Sequence, residues 1–165
     1  MSQLNILYED NHLIIVNKNA GDIVQGDKTG DTPLSEKVKN YIKKKYNKPG
    51  EVFIGIPHRL DRPTSGIVVF ARTSKALSRM NELFKNKDLT KIYWAITEER
   101  PQQEKGTLIS YLQKNEKQNK SFASSTPKDG YKKAELEYTL RDSSEDRNST
   151  RLNSSHQIIS YAVFC

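Results

Sequence analysis

At 165 residues the chain has room for at most one domain, and its 35% hydrophobic and 28% charged content suits a globular fold with a modest core rather than a disordered chain. No apolar run approaches the ~20 residues of a membrane span, no signal-peptide pattern opens the sequence, and the lone cysteine, Cys165, excludes a disulfide framework and a cysteine metal site, so a cytoplasmic setting is the default. The 27 basic residues outweigh 20 acidic ones by +7, a surplus that fits a polyanionic partner, most often nucleic acid.

Residues 5–8 and 12–17 are short apolar runs around Glu9-Asp10-Asn11, and turn formers between β-branched stretches predict a hairpin. Lys18-Asn19-Ala20-Gly21 closes the second strand, and residues 21–30 are polar and turn-rich. Thr32-Pro33 then reads as a helix start, with Thr32 as cap and Pro33 at the first helical position. Leu34, Val38, Tyr41 and Ile42 share one helical face, lysines fill the other, and residues 47–50 end the helix. That lysine face suits the phosphates of a polyanionic partner and plain solvent equally well. A short strand is expected over residues 52–56. Another is expected over 67–71, apolar on both faces and therefore buried.

Thr73 or Ser74 caps a second helix, whose stripe of Ala76, Leu77, Met80, Leu83 and Phe84 has core spacing. Further strands are expected over 90–98, 106–112 and 134–140, the last alternating cleanly, with a loose polar stretch over 113–126. The fold class is α+β, with a mixed, largely antiparallel sheet and flanking helices.

The most informative run is His58-Arg59-Leu60-Asp61-Arg62-Pro63-Thr64-Ser65-Gly66. It sets a carboxylate between two guanidinium groups, whose charge would favour the ionised form. An ionised carboxylate is a poor general acid but a ready nucleophile or base. The arginines can also hold phosphate through paired, planar hydrogen bonds. The plain alternative is a solvated ion pair worth ~0–1 kcal/mol.

The full run resembles the signature of the RluA family of RNA pseudouridine synthases, H-R-L-D-R-x-T-S-G, at every fixed position. The resemblance extends over about residues 4–141, with a further match at Lys91-Ile92-Tyr93-Trp94-Ala95; the family often has proline at the position of Asn19. It implies isomerisation of uridine in RNA to pseudouridine. Asp61 would be nucleophile or base. Arg59 would enter the RNA helix in place of the flipped base, and Tyr93 would stack on the uracil. Arg62 and Lys91 would contact RNA, and His58, Leu60, Thr64, Ser65 and Gly66 would shape the loop. No cofactor, metal or ATP is implied. The partner would be ribosomal or transfer RNA, with no membrane, and a monomer is expected. The alternatives are a non-catalytic RNA-binding module or an inactive synthase fragment. A hydrolase would want a second catalytic carboxylate, and none stands out by motif. Ser65 lacks the G-x-S-x-G elbow of a hydrolase nucleophile.

From residue 145 onward the chain changes character: Asn, Ser and Thr replace the lysine-rich pattern. Residues 159–165 can be written as ATC TCG TAT GCC GTC TTC TGC, and residues 149–156 back-translate similarly into what looks like sequencing-adapter DNA. The expected organisation is a partial catalytic domain over residues 1–144 and a non-native tail over 145–165. The RluA family carries a later motif resembling G-R-x-H-Q-I-R. Here His156-Gln157-Ile158 imitates its centre without the glycine or either arginine, so the match is taken as accidental and this chain is expected to be inactive by itself.

Overall fold

The structure, a computed structural model, describes residues 4–97, 100–115, 120–143 and 157–164. The chain divides into two compact units, Met1–Asp88 and Leu89–Cys165.

The first unit opens with the expected hairpin, β1 (Ile6–Glu9) and β2 (Leu13–Lys18). Its turn is closed by Asp10, whose carboxylate accepts the backbone N–H groups of His12 at 2.7 Å and Leu13 at 2.6 Å. On its other side β2 pairs antiparallel with β3 (Gly66–Ala71), from Leu13 opposite Ala71 to Lys18 opposite Gly66. Alternation puts Ile14, Val16 and Lys18 on one face beside Val68 and Phe70. Helix α1 (Leu34–Lys45) covers that face with Leu34, Val38 and Ile42, and Val24 and Val52 complete the cluster. Full burial of such a side chain is worth about 1.5–3 kcal/mol, so this cluster is the main stabilisation of the unit.

Local expectations hold where the partner is local. Thr73 caps α2 (Ser74–Lys85): its Oγ1 accepts the Ala76 N–H at 3.1 Å. Thr32 does not cap α1. Pro33 is the N-cap, and the N–H groups of Leu34 and Ser35 go instead to the carbonyls of Ile23 at 2.7 Å and Val24 at 3.2 Å. The strand expected over 52–56 reduces to one bridge, Gly55 with Ala71. Gly55 is buried against α2, where an added Cβ would lie 2.8 Å from Leu77 Cδ2. In β3, Val68 and Phe70 are buried but Ile67 is 59% exposed, so the strand is not buried on both faces. Of the α2 stripe only Ala76 is fully buried; Leu77, Met80 and Phe84 are half-buried, and Leu83 is exposed.

The second unit is one antiparallel sheet in the order β4-β8-β7-β5-β6, formed by β4 (Ile92–Thr97), β5 (Lys105–Asn115), β6 (Lys120–Ser124), β7 (Lys132–Ser143) and β8 (Gln157–Phe164). The α+β class therefore holds, but the strands form two antiparallel sheets rather than one mixed sheet. The stretch expected to be loose contains the β5–β6 hairpin, in which Tyr111 pairs with Ser124 and Asn115 with Lys120. Pairing with β5 makes a strand of a segment whose own pattern is weak. In β7, Ala134, Leu136, Tyr138 and Leu140 turn to the more buried side, as their alternation predicts. The backbone of β8, from the segment read as a tail, pairs with β4 and β7.

Candidate active site

Asp61 begins a turn in which the Thr64 N–H donates to the Asp61 carbonyl at 3.1 Å. The turn is held from beneath by Lys18, the last residue of β2, which is 1% exposed. Its ammonium donates to the carbonyls of Asn19 at 3.0 Å, Arg62 at 3.2 Å and Thr64 at 2.6 Å. An ammonium has three N–H donors, and all three are used. Burial pulls the Lys18 pKa below the ordinary lysine value, while the carboxylates of Asp22 and Asp61 push it back up. Gly21 adds a third tie to the turn, after the Lys18 bonds to Arg62 and Thr64: its N–H donates to the Arg62 carbonyl at 2.8 Å, from a left-handed backbone at φ +91° that favours glycine.

The flanks of the turn are fixed from other directions. His58 Nε2 accepts the Val69 N–H of β3 at 3.0 Å, which places the neutral imidazole's proton on Nδ1. Its ring lies 4.9 Å from that of Phe84 in α2. Leu60 packs against the core cluster. Gly66 starts β3 at φ +136°, a conformation that side chains rarely adopt.

This scaffold leaves the functional groups outside. Arg59, Asp61, Arg62 and Ser65 are exposed, and Thr64 is half-buried. Among the described residues none donates a hydrogen bond to the Asp61 carboxylate, and none pairs with Arg59. Among the described residues Asp61 makes no ion pair with either flanking arginine. Arg62 instead pairs with Asp31 of the loop before α1. Tyr93 and Lys91 belong to the second unit: Tyr93 is half-buried in β4 opposite Tyr161 of β8, and Lys91, half-buried, precedes that strand. His156 lies outside the described residues. Among the described residues no cluster of three or more His, Cys, Asp or Glu is placed to hold a metal ion. Among the described residues no helix is long and apolar enough to cross a membrane.

Lys18 is the residue that sequence reasoning missed. The signal was present: Ile14, Val16 and Lys18 share one parity in β2, so the alternation that buries the first two points the third inward as well. A lysine at a core parity needs partners, and the Asp61 turn supplies them.

Comparison with known proteins gives the family. Residues 12–158 match the family model for RNA pseudouridylate synthase, so the match continues past residue 144. An uncharacterised RNA pseudouridine synthase of Bacillus subtilis is 37% identical over 109 residues, covering 66% of this chain and 35% of that protein. Ribosomal large subunit pseudouridine synthase D of Borreliella burgdorferi is 33% identical over 140 residues, covering 82% and 42%. Ribosomal large subunit pseudouridine synthase C of Rickettsia prowazekii is 33% identical over 125 residues, covering 76% and 39%. Among solved structures, human RNA pseudouridylate synthase domain containing 4 superposes with a TM-score of 0.76 at 21% identity, over 98% of this chain and 59% of that one. The chain belongs to the RNA pseudouridylate synthase family. It spans less than half the length of these curated relatives.

Proposed function

We propose that this chain carries the catalytic turn of an enzyme that isomerises uridine in RNA to pseudouridine, with Asp61 as nucleophile or base. The observation that carries the reading is the setting of Asp61: an exposed carboxylate with no donor among the described residues, on a turn whose backbone is bonded from below by Lys18 and Gly21. A fixed backbone beneath an unengaged carboxylate suits a group that has to meet a reacting sugar or base. In the reaction the glycosidic nitrogen–carbon bond breaks, the base turns, and a carbon–carbon bond forms to the same sugar. One ring carbon loses a proton and one ring nitrogen gains one, so no oxidant or reductant is consumed.

The target uridine has to leave the stack before a carboxylate can reach it. Arg59, exposed and without a described partner, is assigned to the gap left behind. Tyr93 is assigned to stack on the uracil, a contact worth about 1–3 kcal/mol. Arg62 would exchange Asp31 for a phosphate, and Lys91 would contact the RNA backbone. Two relatives carry ribosomal large subunit names, which favours ribosomal over transfer RNA as substrate. The proposed setting is a cytoplasmic monomer.

The 165-residue chain lacks the G-R-x-H-Q-I-R-like motif, so we assign it RNA binding without turnover, and residues 145–165 to a non-native tail. Genomic reads across the codon for Asp142 test the tail. A frame running on into such a motif is expected; a genome encoding residues 146–165 and then a stop would overturn the assignment. In the uninterrupted gene product, Asp61→Asn is expected to abolish pseudouridine formation while keeping RNA affinity. Product from the Asp61→Asn enzyme would exclude Asp61 as nucleophile or base.

A further inference from the structure

We infer that the C-terminal end of α1 is a contact surface for the phosphate backbone of RNA, an inference that rests on RNA being the substrate. Helix α1 and the residues after it carry Lys37, Lys39, Lys43, Lys44, Lys45 and Lys48. Three of these are neutralised within the fold: Lys37 pairs with Asp22 at 2.7 Å, Lys39 with Glu36 at 2.6 Å and Lys45 with Glu9 at 2.8 Å. The other three, Lys43, Lys44 and Lys48, are exposed, and their ammonium groups have no partner among the described residues.

The helix cap gathers these three into one place. Asn47 adopts a left-handed backbone at φ 46°. The Lys48 N–H then bonds back to the Lys43 carbonyl at 3.0 Å, and the Asn47 N–H to the Lys44 carbonyl at 3.4 Å. The chain therefore folds Lys48 over the turn that carries Lys43 and Lys44. Favourable interaction with the helix dipole does not account for them, because the C-terminal end presents only about half a negative charge against three ammonium groups.

Helix α2 supplies the contrast. It ends in the same cap, with Lys87 at φ 60° and the Asp88 N–H bonded to the Leu83 carbonyl at 3.0 Å. There Lys85 and Lys87 are balanced in sequence by Glu82 and Asp88. Counted the same way, with Glu51 three residues beyond Lys48, the cap on α1 keeps a net +2, so one cap geometry ends in a locally neutral turn on α2 and in a surplus of positive charge on α1. Closely spaced, exposed and flexible cations complement a chain of phosphates, whose spacing tolerates loose placement.

The test is binding of the 165-residue chain to a labelled oligouridine strand across a salt series. Three proteins are compared: the wild type, Lys43→Gln/Lys44→Gln/Lys48→Gln, and the charge-matched Lys75→Gln/Lys85→Gln/Lys87→Gln on α2. Coincident thermal melts would establish that all three fold alike, as expected for exposed sites. Each phosphate contact on a single strand contributes about 0.7 to the slope of log affinity against log salt, so the α1 variant is expected to flatten that slope by about 2 and to lose about tenfold or more in affinity at low salt. The α2 variant is expected to change far less. Equal losses in both variants would reduce the effect to bulk charge and overturn the inference, as would an unchanged slope in the α1 variant. A wild-type chain that fails to bind the strand at any salt would overturn the RNA reading itself.

Discussion

Replacing Lys18 by methionine keeps the volume of the side chain and removes the charge and all three donors. The carbonyls of Asn19 and Thr64 then lose the ammonium that donates to them, while the Arg62 carbonyl keeps the Gly21 N–H. Hydrogen bonds to a charged group are worth about 1.5–3 kcal/mol each. Three of them are partly offset by the several kcal/mol it costs to bury an ammonium. Leaving a buried acceptor without its donor costs about 1–3 kcal/mol; the Arg62 carbonyl keeps its bond from Gly21, so the Asn19 and Thr64 carbonyls carry the loss, and we expect about 3–5 kcal/mol for Lys18→Met. For a unit of this size that corresponds to a fall in melting temperature of more than about 10 °C. Urea titration by circular dichroism, with amide hydrogen exchange in β2 and β3 to isolate the first unit, measures it. The sign of the pH dependence provides a second check. The folded pKa of Lys18 is lowered, so between it and the unfolded value of about 10.4 the unfolded chain binds more protons and stability rises with pH. Lys18→Met should lack that alkaline rise. A variant within about 1 kcal/mol of the wild type would refute the view that Lys18 holds the Asp61 turn, because it would leave three charge-assisted bonds with no net value.

Glu9 should govern part of the acid response. Its carboxylate accepts from Lys45 and the Tyr46 hydroxyl at 2.8 Å, the Tyr41 hydroxyl at 3.0 Å and Arg72 at 3.2 Å. Burial raises its pKa, but the bonds from Lys45, Tyr46 and Tyr41 together hold it below the ordinary value. A lowered carboxylate stabilises the fold above its unfolded pKa of about 4.3, and that contribution fades as pH falls toward the folded value. Asp10 is lowered by its backbone bonds to Leu13 and His12 and acts with the same sign. Glu9→Gln should therefore be less stable than wild type at pH 7, with the gap narrowing below about pH 4; a gap constant with pH would contradict the assignment. Gly55→Ala should cost about 1–3 kcal/mol by overpacking against Leu77, whose Cβ lies 3.0 Å from the added atom. A loss too small to measure would mean that α2 shifts without penalty.

Whatever rests on a local pattern was legible in the sequence. Alternation in β2 and β7 and the Thr73 cap depend on neighbours a few residues away, and the structure keeps them. The Asp61 turn was legible for another reason: its nine residues carry the family signature. What failed was each feature whose partner comes from afar. Thr32 lost the cap of α1 because the carbonyls of Ile23 and Val24 reach the first helical N–H groups. Residues 52–56 form no strand because Gly55 alone reaches β3.

By itself the sequence determined the α+β class, the core face of α1 and the carboxylate at position 61, because periodicity and short motifs are written in consecutive residues. Only the tertiary structure decided what holds that carboxylate in place. The ammonium beneath the turn belongs to Lys18, separated by 44 and 46 residues from Arg62 and Thr64, whose carbonyls it bonds. Backbone carbonyls are the same in every residue, so the sequence carries no mark of which of them will converge on a buried charge. The antiparallel pairing of β2 with β3 makes that choice, by ending both strands at the level of Lys18 and Gly66.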